Sequence, residues 1–475
     1  MCRTAKSGPG DLAFDPALFQ FYKSLAFVNK NFFRRNIIMF KKILSMFLAV
    51  FMIASLCVSM TSCNNGGAGE GGLSESPLPE ATLTADVTVP AEFKVGFICL
   101  HDELSTYDKN FIDAVTKVKE ALKLTDEQVI FKKNIPEGNE CYEAAADLVD
   151  QGCKVVFANS FGHETYMIKA AKEFKDVQFC HATGTMAHTE KLPNFHNAFA
   201  SIYEGRYLAG VAAGLKLNEM IESGKITADK AKMGYVGAFT YAEVISGYTS
   251  FYLGAKSVCP SVTMDVTFTG SWYDENAEKN AAINLISKGC VLISQHADSM
   301  GAPSACEEAK VPNISYNGAT VSTCPNTFIV SSRIDWAPYY MHMIKNAVNG
   351  TDIGYDWCGT PSQGSVVLTG INEKAAAKDT LAKLKDVAAK LKAGEIHVFD
   401  TSAFTVTVTD TLNKNAKVDA NGKLTSYMAD VDTDAAYTPD TEVVKDGYFH
   451  ESEYRSAPYF DIQIDGITLL DVNFG

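Results

Sequence analysis

Short apolar runs alternate with amphipathic stretches of helical length from residue 93 onwards, and this alternation constrains the fold more than any other feature. The first series of predicted strands covers 94–100, 129–135, 155–160 and 177–182. The second series covers strands at 233–239, 264–269, 291–295 and 313–317 and helices at 243–256, 276–288 and 302–310. Alternation at this pitch predicts parallel strands joined by right-handed crossovers. The sequence therefore predicts an α/β fold with two doubly wound parallel sheets, one in each of two lobes.

The lobes are predicted to exchange segments late in the chain. The expected boundaries are 93–200 for lobe 1, completed by about 320–360, and 201–319 for lobe 2, completed by about 361–400. Residues 195–200 and 328–334 are extended and lie between the two series, so we expect them to be crossings and candidate hinges. Residues 401–475 are acidic and rich in aromatic side chains, which predicts an appended, packed extension rather than a disordered tail.

The N-terminal stretch has the features of an export signal. Lys41 and Lys42 precede an uncharged run that ends in Met-Thr-Ser-Cys, so residues 39–62 are predicted to be a lipoprotein signal peptide and Cys63 the lipidated residue. The alternative is an uncleaved membrane helix. Residues 63–92 are predicted to be a flexible tether. Residues 1–38 are expected to be a non-native upstream extension, because Met39 is the more natural start.

Composition and motifs exclude several classes of function. The formal net charge of −14 disfavours nucleic acid as a partner. Nine of the twelve cysteines follow residue 63 without any C-x-x-C spacing, which indicates neither a disulfide framework nor a zinc site. There is no G-x-S-x-G, H-E-x-x-H or P-loop motif. We therefore predict no catalytic residues, no metal and no cofactor.

Seven short stretches in order carry a resemblance to a known family. They are N-S-F-G at 159–162, H-A-T-G at 181–184, Y-E-G-R-Y-L-A-G at 203–210, E-V-I-S-G at 243–247, G-S-W-Y-D at 270–274, Q-H-A-D-S at 295–299 and W-A-P-Y-Y at 336–340. With these stretches, residues 93–400 resemble the basic membrane protein family of substrate-binding lipoproteins, best known for purine nucleoside receptors of ABC importers. The resemblance implies a type I periplasmic-binding-protein fold, with the two lobes joined by a hinge and the ligand held between them.

Ligands of doubly wound sheets lie beyond the carboxyl ends of the strands, and the candidate binding residues are taken from the loops expected there. They are Tyr107, Asp108, Phe161, Glu243, Trp272, Asp274, Asp298, Asn317 and Trp336. Aromatic faces would stack on a base, and carboxylates or amides would bind its edge or the ribose hydroxyls. Alternatives stay open: Tyr107 could pack on its own helix, Phe161 could be a core residue, Asp298 could cap a helix, and Trp336 could pack at the hinge.

The resemblance implies a receptor that captures a purine nucleoside, purine base or similar small molecule and delivers it to a membrane permease. It would be held by its lipid anchor on the extracytoplasmic face of the cell membrane. One alternative is a surface sensor or adhesin that uses residues 401–475 as a protein-contact module. A second alternative is a nucleoside-processing enzyme on the same fold.

Overall fold

The structure is a computed structural model that describes residues 72–471 except 432 and 435. The expected upstream extension, the signal peptide and Cys63 lie outside the described residues. Within those residues, every helix is too short or too polar to cross a bilayer. The nine described cysteines are all unpaired, and eight of them are buried.

The first lobe is a six-stranded parallel sheet with helices on both faces. Its strands are β1 (Lys94–Ile98), β2 (Val129–Lys132), β3 (Cys153–Ala158), β4 (Gln178–Ala182), β5 (Phe195–Ala200) and β11 (Asp356–Gly359), in the spatial order β11-β5-β4-β3-β1-β2. Its helices are α1 (Thr106–Leu122), α2 (Asn139–Asp150), α3 (Glu164–Glu173), α4 (Ala187–Glu190) and α9 (Ala337–Asn349). Because both faces are covered, the strands are continuous apolar runs rather than alternating ones.

The second lobe is a seven-stranded sheet. Its strands are β6 (Lys232–Gly237), β7 (Thr263–Phe268), β8 (Leu292–Gln295), β9 (Asn313–Tyr316), β10 (Phe328–Ile334), β12 (Val366–Leu368) and β18 (Ile467–Leu469), in the order β12-β10-β9-β8-β6-β7-β18. Only the β10–β12 pair is antiparallel among these. Its helices are α5 (Ile202–Glu222), α6 (Ala242–Val258), α7 (Glu275–Ser287), α8 (Gly301–Ala309) and α10 (Thr380–Lys392).

Close contact between α5 and α6 depends on two glycines. A Cβ atom on Gly210 would collide with the carbonyl oxygen of Phe251, and one on Gly254 would collide with that of Tyr207. The missing side chains let the two backbones approach each other. This helix pair covers one face of the second sheet. Its first helix, α5, begins where the chain leaves the first lobe after β5.

The two segments predicted to be crossings are strands. Phe195–Ala200 is β5 in the first sheet, and Phe328–Ile334 is β10 in the second. The chain passes to the other lobe immediately after each strand. Strand β10 therefore belongs to the second lobe, and the expectation that residues 320–360 complete the first lobe is wrong for β10. An extended apolar segment has the same sequence pattern whether it joins a sheet or links two lobes, and pairing with β9 decides the matter here.

The described part of the expected tether, residues 72–92, packs on the body, so the prediction of a flexible tether is wrong there. Leu73 is buried against the second lobe, and the Ser74 amide donates to the Ile371 carbonyl at 2.9 Å. Further along, Leu83 and Val87 pack against the core of the first lobe. Spaced apolar side chains anchor this stretch despite its polar composition.

The last part of the chain folds onto the second lobe. It contains the short strands β13 (Ala416–Val418), β14 (Leu424–Ala429), β15 (Thr441–Glu442), β16 (Val444–Lys445) and β17 (Tyr448–Phe449). Aromatic residues such as Phe449 and Phe460 belong to the same apolar core as α5, α6 and the second sheet. Strand β18 then adds to the edge of that sheet beside β7.

Candidate functional site

An enclosed cavity lies between the two lobes at the carboxyl ends of their strands. Its cavity volume is about 20 Å³, room for about one water molecule in this arrangement of the lobes. Its lining residues are Leu100, Tyr107, Asp108, Ser160, Phe161, Thr183, Glu243, Trp272, His296, Asp298, Tyr316 and Asn317. The first six belong to the first lobe and the last six to the second. A mostly apolar lining with a few convergent polar groups suits a small flat molecule, which the lobes must part to admit.

Seven of the nine candidate residues from the sequence line this cavity, and two do not. Asp274 caps α7 instead, where its carboxylate accepts a hydrogen bond from the Ala277 amide at 2.9 Å. Trp336 is 1 % exposed and stacks on Phe111 in the core of the first lobe, with ring centroids 4.5 Å apart. Both residues flank predicted strands, but the directions of their side chains are set by packing that the sequence pattern does not reveal.

Aromatic rings form a wall that passes from one lobe to the other. Phe161 of the first lobe stacks on Tyr241 of the second, with ring centroids 4.9 Å apart and planes 27° apart. Tyr241 stacks in turn on Phe239, whose ring meets Trp272 edge-on at 5.0 Å. Phe161 is 39 % exposed and belongs to none of the apolar cores described here. Its ring therefore lines the cavity instead of packing in an apolar core.

Tyr107 and Asp108 lie in the first turn of α1, which follows the loop after β1. Ser105 caps this helix, accepting from the Asp108 amide at 3.1 Å and donating to the Asp108 carboxylate at 2.8 Å. Asn159 donates to the same carboxylate at 2.7 Å. The hydroxyl of Tyr107 donates to the Asn159 carbonyl at 2.7 Å, and its ring packs edge-on against Phe111. Tyr107 thus packs on its own helix and also faces the cavity.

Asp298 is a buried carboxylate of the cavity, at 4 % exposure, and only Asp108, at 1 %, is more buried among the lining carboxylates. Burial, together with the nearby Glu278 and Asp108, raises its pKa well above the usual range, whereas the amide of Asn317, 3.1 Å away, favours the charged form. Its backbone carbonyl accepts two hydrogen bonds from the other lobe, from the Thr106 amide at 3.0 Å and the Thr106 hydroxyl at 3.1 Å. The N-cap of α8 is Met300, so Asp298 does not hold the capping position.

A chain of hydrogen bonds holds Glu243 at the cavity. Its carboxylate lies 3.0 Å from His296 Nε2, and His296 Nδ1 lies 3.2 Å from the hydroxyl of Tyr235. The fully buried Arg206 donates to that hydroxyl at 3.0 Å. Because a carboxylate only accepts hydrogen bonds, His296 Nε2 carries the proton that binds Glu243. The hydrogen bond from His296 thereby fixes the position of one Glu243 carboxylate oxygen.

Five lining residues were not among the sequence candidates. They are Leu100, Ser160, Thr183, His296 and Tyr316. All five lie at the last residue of a parallel strand or within two residues of its end, so a systematic survey of strand ends would have found them. Within the described residues, no group of His, Cys, Asp or Glu side chains could hold a metal ion. The lining also contains no lysine or arginine, so it offers no counter-charge for a phosphate.

Two doubly wound lobes around an enclosed cavity define a two-lobed ligand-binding protein. Residues 101–402 match the family described as ABC transporter substrate-binding protein PnrA-like, and the chain belongs to this family. The family resemblance and the α/β fold expected from the sequence are thereby confirmed. The protein is a substrate-binding component of an ABC transporter rather than an enzyme. Membership implies a small-molecule ligand, a permease partner and an extracytoplasmic, membrane-associated location.

Named relatives include a purine-binding protein of Brucella abortus, 31 % identical over 57 % of this chain and 73 % of the relative. A candidate ABC transporter glucose-binding protein of Haloferax volcanii is 28 % identical over 72 % of this chain and 78 % of the relative. The ABC transporter nucleoside-binding protein BmpA of Lactococcus lactis is 29 % identical over 36 % of this chain and 44 % of its own.

Solved structures agree on the fold. A solute-binding protein of an ABC transporter system from Aeropyrum pernix has a TM-score of 0.55 at 17 % identity, covering 67 % of this chain and 94 % of its own. A similar protein from Conexibacter woesei has a TM-score of 0.51 at 20 % identity, covering 64 % and 98 %. At these identities the likeness supports the architecture alone.

Proposed function

We propose that the protein is the lipid-anchored receptor of an ABC importer and that it binds a purine base or purine nucleoside between its lobes. The observation that carries the proposal is the cavity itself, where an aromatic wall faces buried carboxylates and no cationic side chain. Flat heterocycles gain from stacking, and the N–H groups of a purine or the hydroxyls of a ribose can donate to carboxylates. Relatives named for purine and nucleoside binding support this ligand class.

In this proposal the lining residues have distinct roles. Phe161 and Trp272 provide faces for stacking. Glu243, oriented by His296, and Asp298, held by Asn317, form hydrogen bonds with the edge of the ligand. Tyr107 closes the cavity on the side of the first lobe, and Asp108 fixes the start of α1 rather than reaching for the ligand. Closure of the lobes around the ligand is the whole mechanism, with no covalent step.

The ligand class is tested by a thermal-shift screen of residues 64–475, produced without the leader and lipid. A ligand that binds only the folded state stabilises it by mass action and so raises the melting temperature. At a ligand concentration of a hundred times Kd, the free energy of unfolding increases by about 2.7 kcal/mol. We expect shifts with purine bases or nucleosides and none with sugars or nucleotides. Shifts with sugars alone, the ligand named for the Haloferax relative, would contradict the purine assignment. No shift with any of them would favour a surface sensor or adhesin.

The anchor is tested separately. Cells that express the full chain and are fed a radiolabelled or alkyne-tagged fatty acid should label this protein, and Cys63→Ala should abolish the label. Cys358→Ala provides the matched control, because Cys358 belongs to the folded body and is the least buried of the nine described cysteines. Labelling that persists in Cys63→Ala would contradict the anchor while leaving the ligand assignment intact.

A further inference from the structure

The C-terminal region is built into the second lobe. Strand β18 pairs with β7 in parallel, and the carboxylate of Asp471 accepts from the Thr267 hydroxyl at 2.6 Å and the Phe268 amide at 2.8 Å. The hydroxyl of Tyr248 on α6 donates to Gln463 at 3.0 Å. A region held by strand pairing, side-chain hydrogen bonds and a shared core moves with that lobe as one body.

The same region also contacts the first lobe. The Ser456 amide donates to the carboxylate of Asp356 at 2.7 Å, and Asp356 belongs to β11 at the edge of the first sheet. The same carboxylate oxygen lies 3.3 Å from His188 Nε2. The Thr189 hydroxyl donates to the Asp434 carbonyl at 3.0 Å. His188 and Thr189 lie on α4, which follows the cavity-lining Thr183 in the chain.

Residues 451–459, termed here the bridging segment, are held together by several internal hydrogen bonds. The Arg455 side chain is mostly buried and donates to the Ala457 carbonyl at 3.2 Å and the Pro458 carbonyl at 3.1 Å. The buried Glu451 carboxylate accepts from the Tyr459 amide at 3.3 Å. These internal hydrogen bonds stiffen the segment, so that it transmits a displacement of one lobe to the other.

We propose that the bridging segment, through Ser456 and Asp356, holds the two lobes in the closed arrangement before any ligand binds. The family match ends at residue 402, so this segment lies beyond the matched region. A protein that is already closed has less conformational cost to meet on binding, which raises its apparent affinity by the factor by which the closed population increases. The proposal concerns the empty protein and does not depend on which ligand the cavity takes.

The test uses hydrogen exchange of one amide. Thr106 is the first residue of α1, where an N–H has no partner within the helix, and its hydrogen bond goes to Asp298 of the other lobe. Its protection from exchange therefore reports lobe closure. Full-length protein, purified in detergent and dialysed free of ligand, is compared with Asp356→Ala by residue-resolved exchange mass spectrometry. Loss of a hydrogen bond to a charged acceptor predicts a rise of about tenfold or more in the Thr106 exchange rate.

Asp465→Ala is the matched control. It removes a carboxylate of the same region that accepts from Thr405 and Thr407, within the region itself, and should leave Thr106 protected. Amides of β1 and β3 must stay protected in every variant, which separates opening from unfolding. If Asp356→Ala does not fold, Thr189→Val on the half-buried α4 should raise Thr106 exchange in the same direction. Wild-type rates in both variants, or an unprotected Thr106 in folded wild-type protein, would overturn the proposal.

Discussion

Replacing Phe161 by alanine is the perturbation that isolates the aromatic wall. Phe161 lines the cavity and stacks on Tyr241, yet it is 39 % exposed and lies outside the apolar cores. Stacking of a base on an aromatic side chain contributes about 1–3 kcal/mol, so Phe161→Ala should raise the Kd for a purine ligand by about 5- to 150-fold. The free energy of unfolding should change by less than about 1 kcal/mol, because few core contacts are lost.

Isothermal titration calorimetry measures the affinity of this variant, and urea unfolding measures its stability. Tyr355→Ala is the matched control, since Tyr355 is an aromatic residue of the first lobe with 40 % exposure and lies outside the cavity lining. It should bind like the wild type. An unchanged Kd in Phe161→Ala, or an equal loss of affinity in Tyr355→Ala, would refute the assignment of the aromatic wall to the ligand.

Three further predictions follow from the carboxylates. Asp298→Ala removes a buried hydrogen-bonding partner and leaves Asn317 without it, so calorimetry should show a Kd about 5- to 150-fold higher. Burial raises the pKa of Glu278 to about 7, above its usual 4.5. The stability that protonated Glu278 contributes is therefore complete below pH 4.5 and is lost as the pH rises through 7. In urea unfolding, the wild type should lose up to about 3 kcal/mol of its free energy of unfolding between pH 5 and pH 8 through this group, and Glu278→Gln should not show that loss. Asp274→Ala removes the cap of α7 and should cost about 0.5–2 kcal/mol of stability in the same assay while leaving Kd unchanged, because Asp274 does not line the cavity.

The parallel sheets and most of the cavity could be predicted because both depend on local pattern. Strand ends locate loops such as those carrying Phe161 and Asp298, and parallel strands bring their carboxyl ends to one edge. The features that the sequence did not reveal depend on contacts between residues far apart in the chain. The sheet that β10 joins depends on pairing with β9, and the inward direction of Trp336 depends on its stacking with Phe111. The contact of Ser456 with Asp356 joins residues a hundred positions apart and leaves no periodic signal.

Tryptophan fluorescence tests the central claim most directly, because the chain has three tryptophans and only Trp272 lines the cavity. Trp336 is buried in the core of the first lobe, and Trp357 packs against that core. Titration of the wild type with a purine base or nucleoside should give a saturable change in emission with one site per chain. Trp272→Phe should lose that change while calorimetry still detects binding. A full emission change in Trp272→Phe, or no saturable change in the wild type with any purine, would contradict the account.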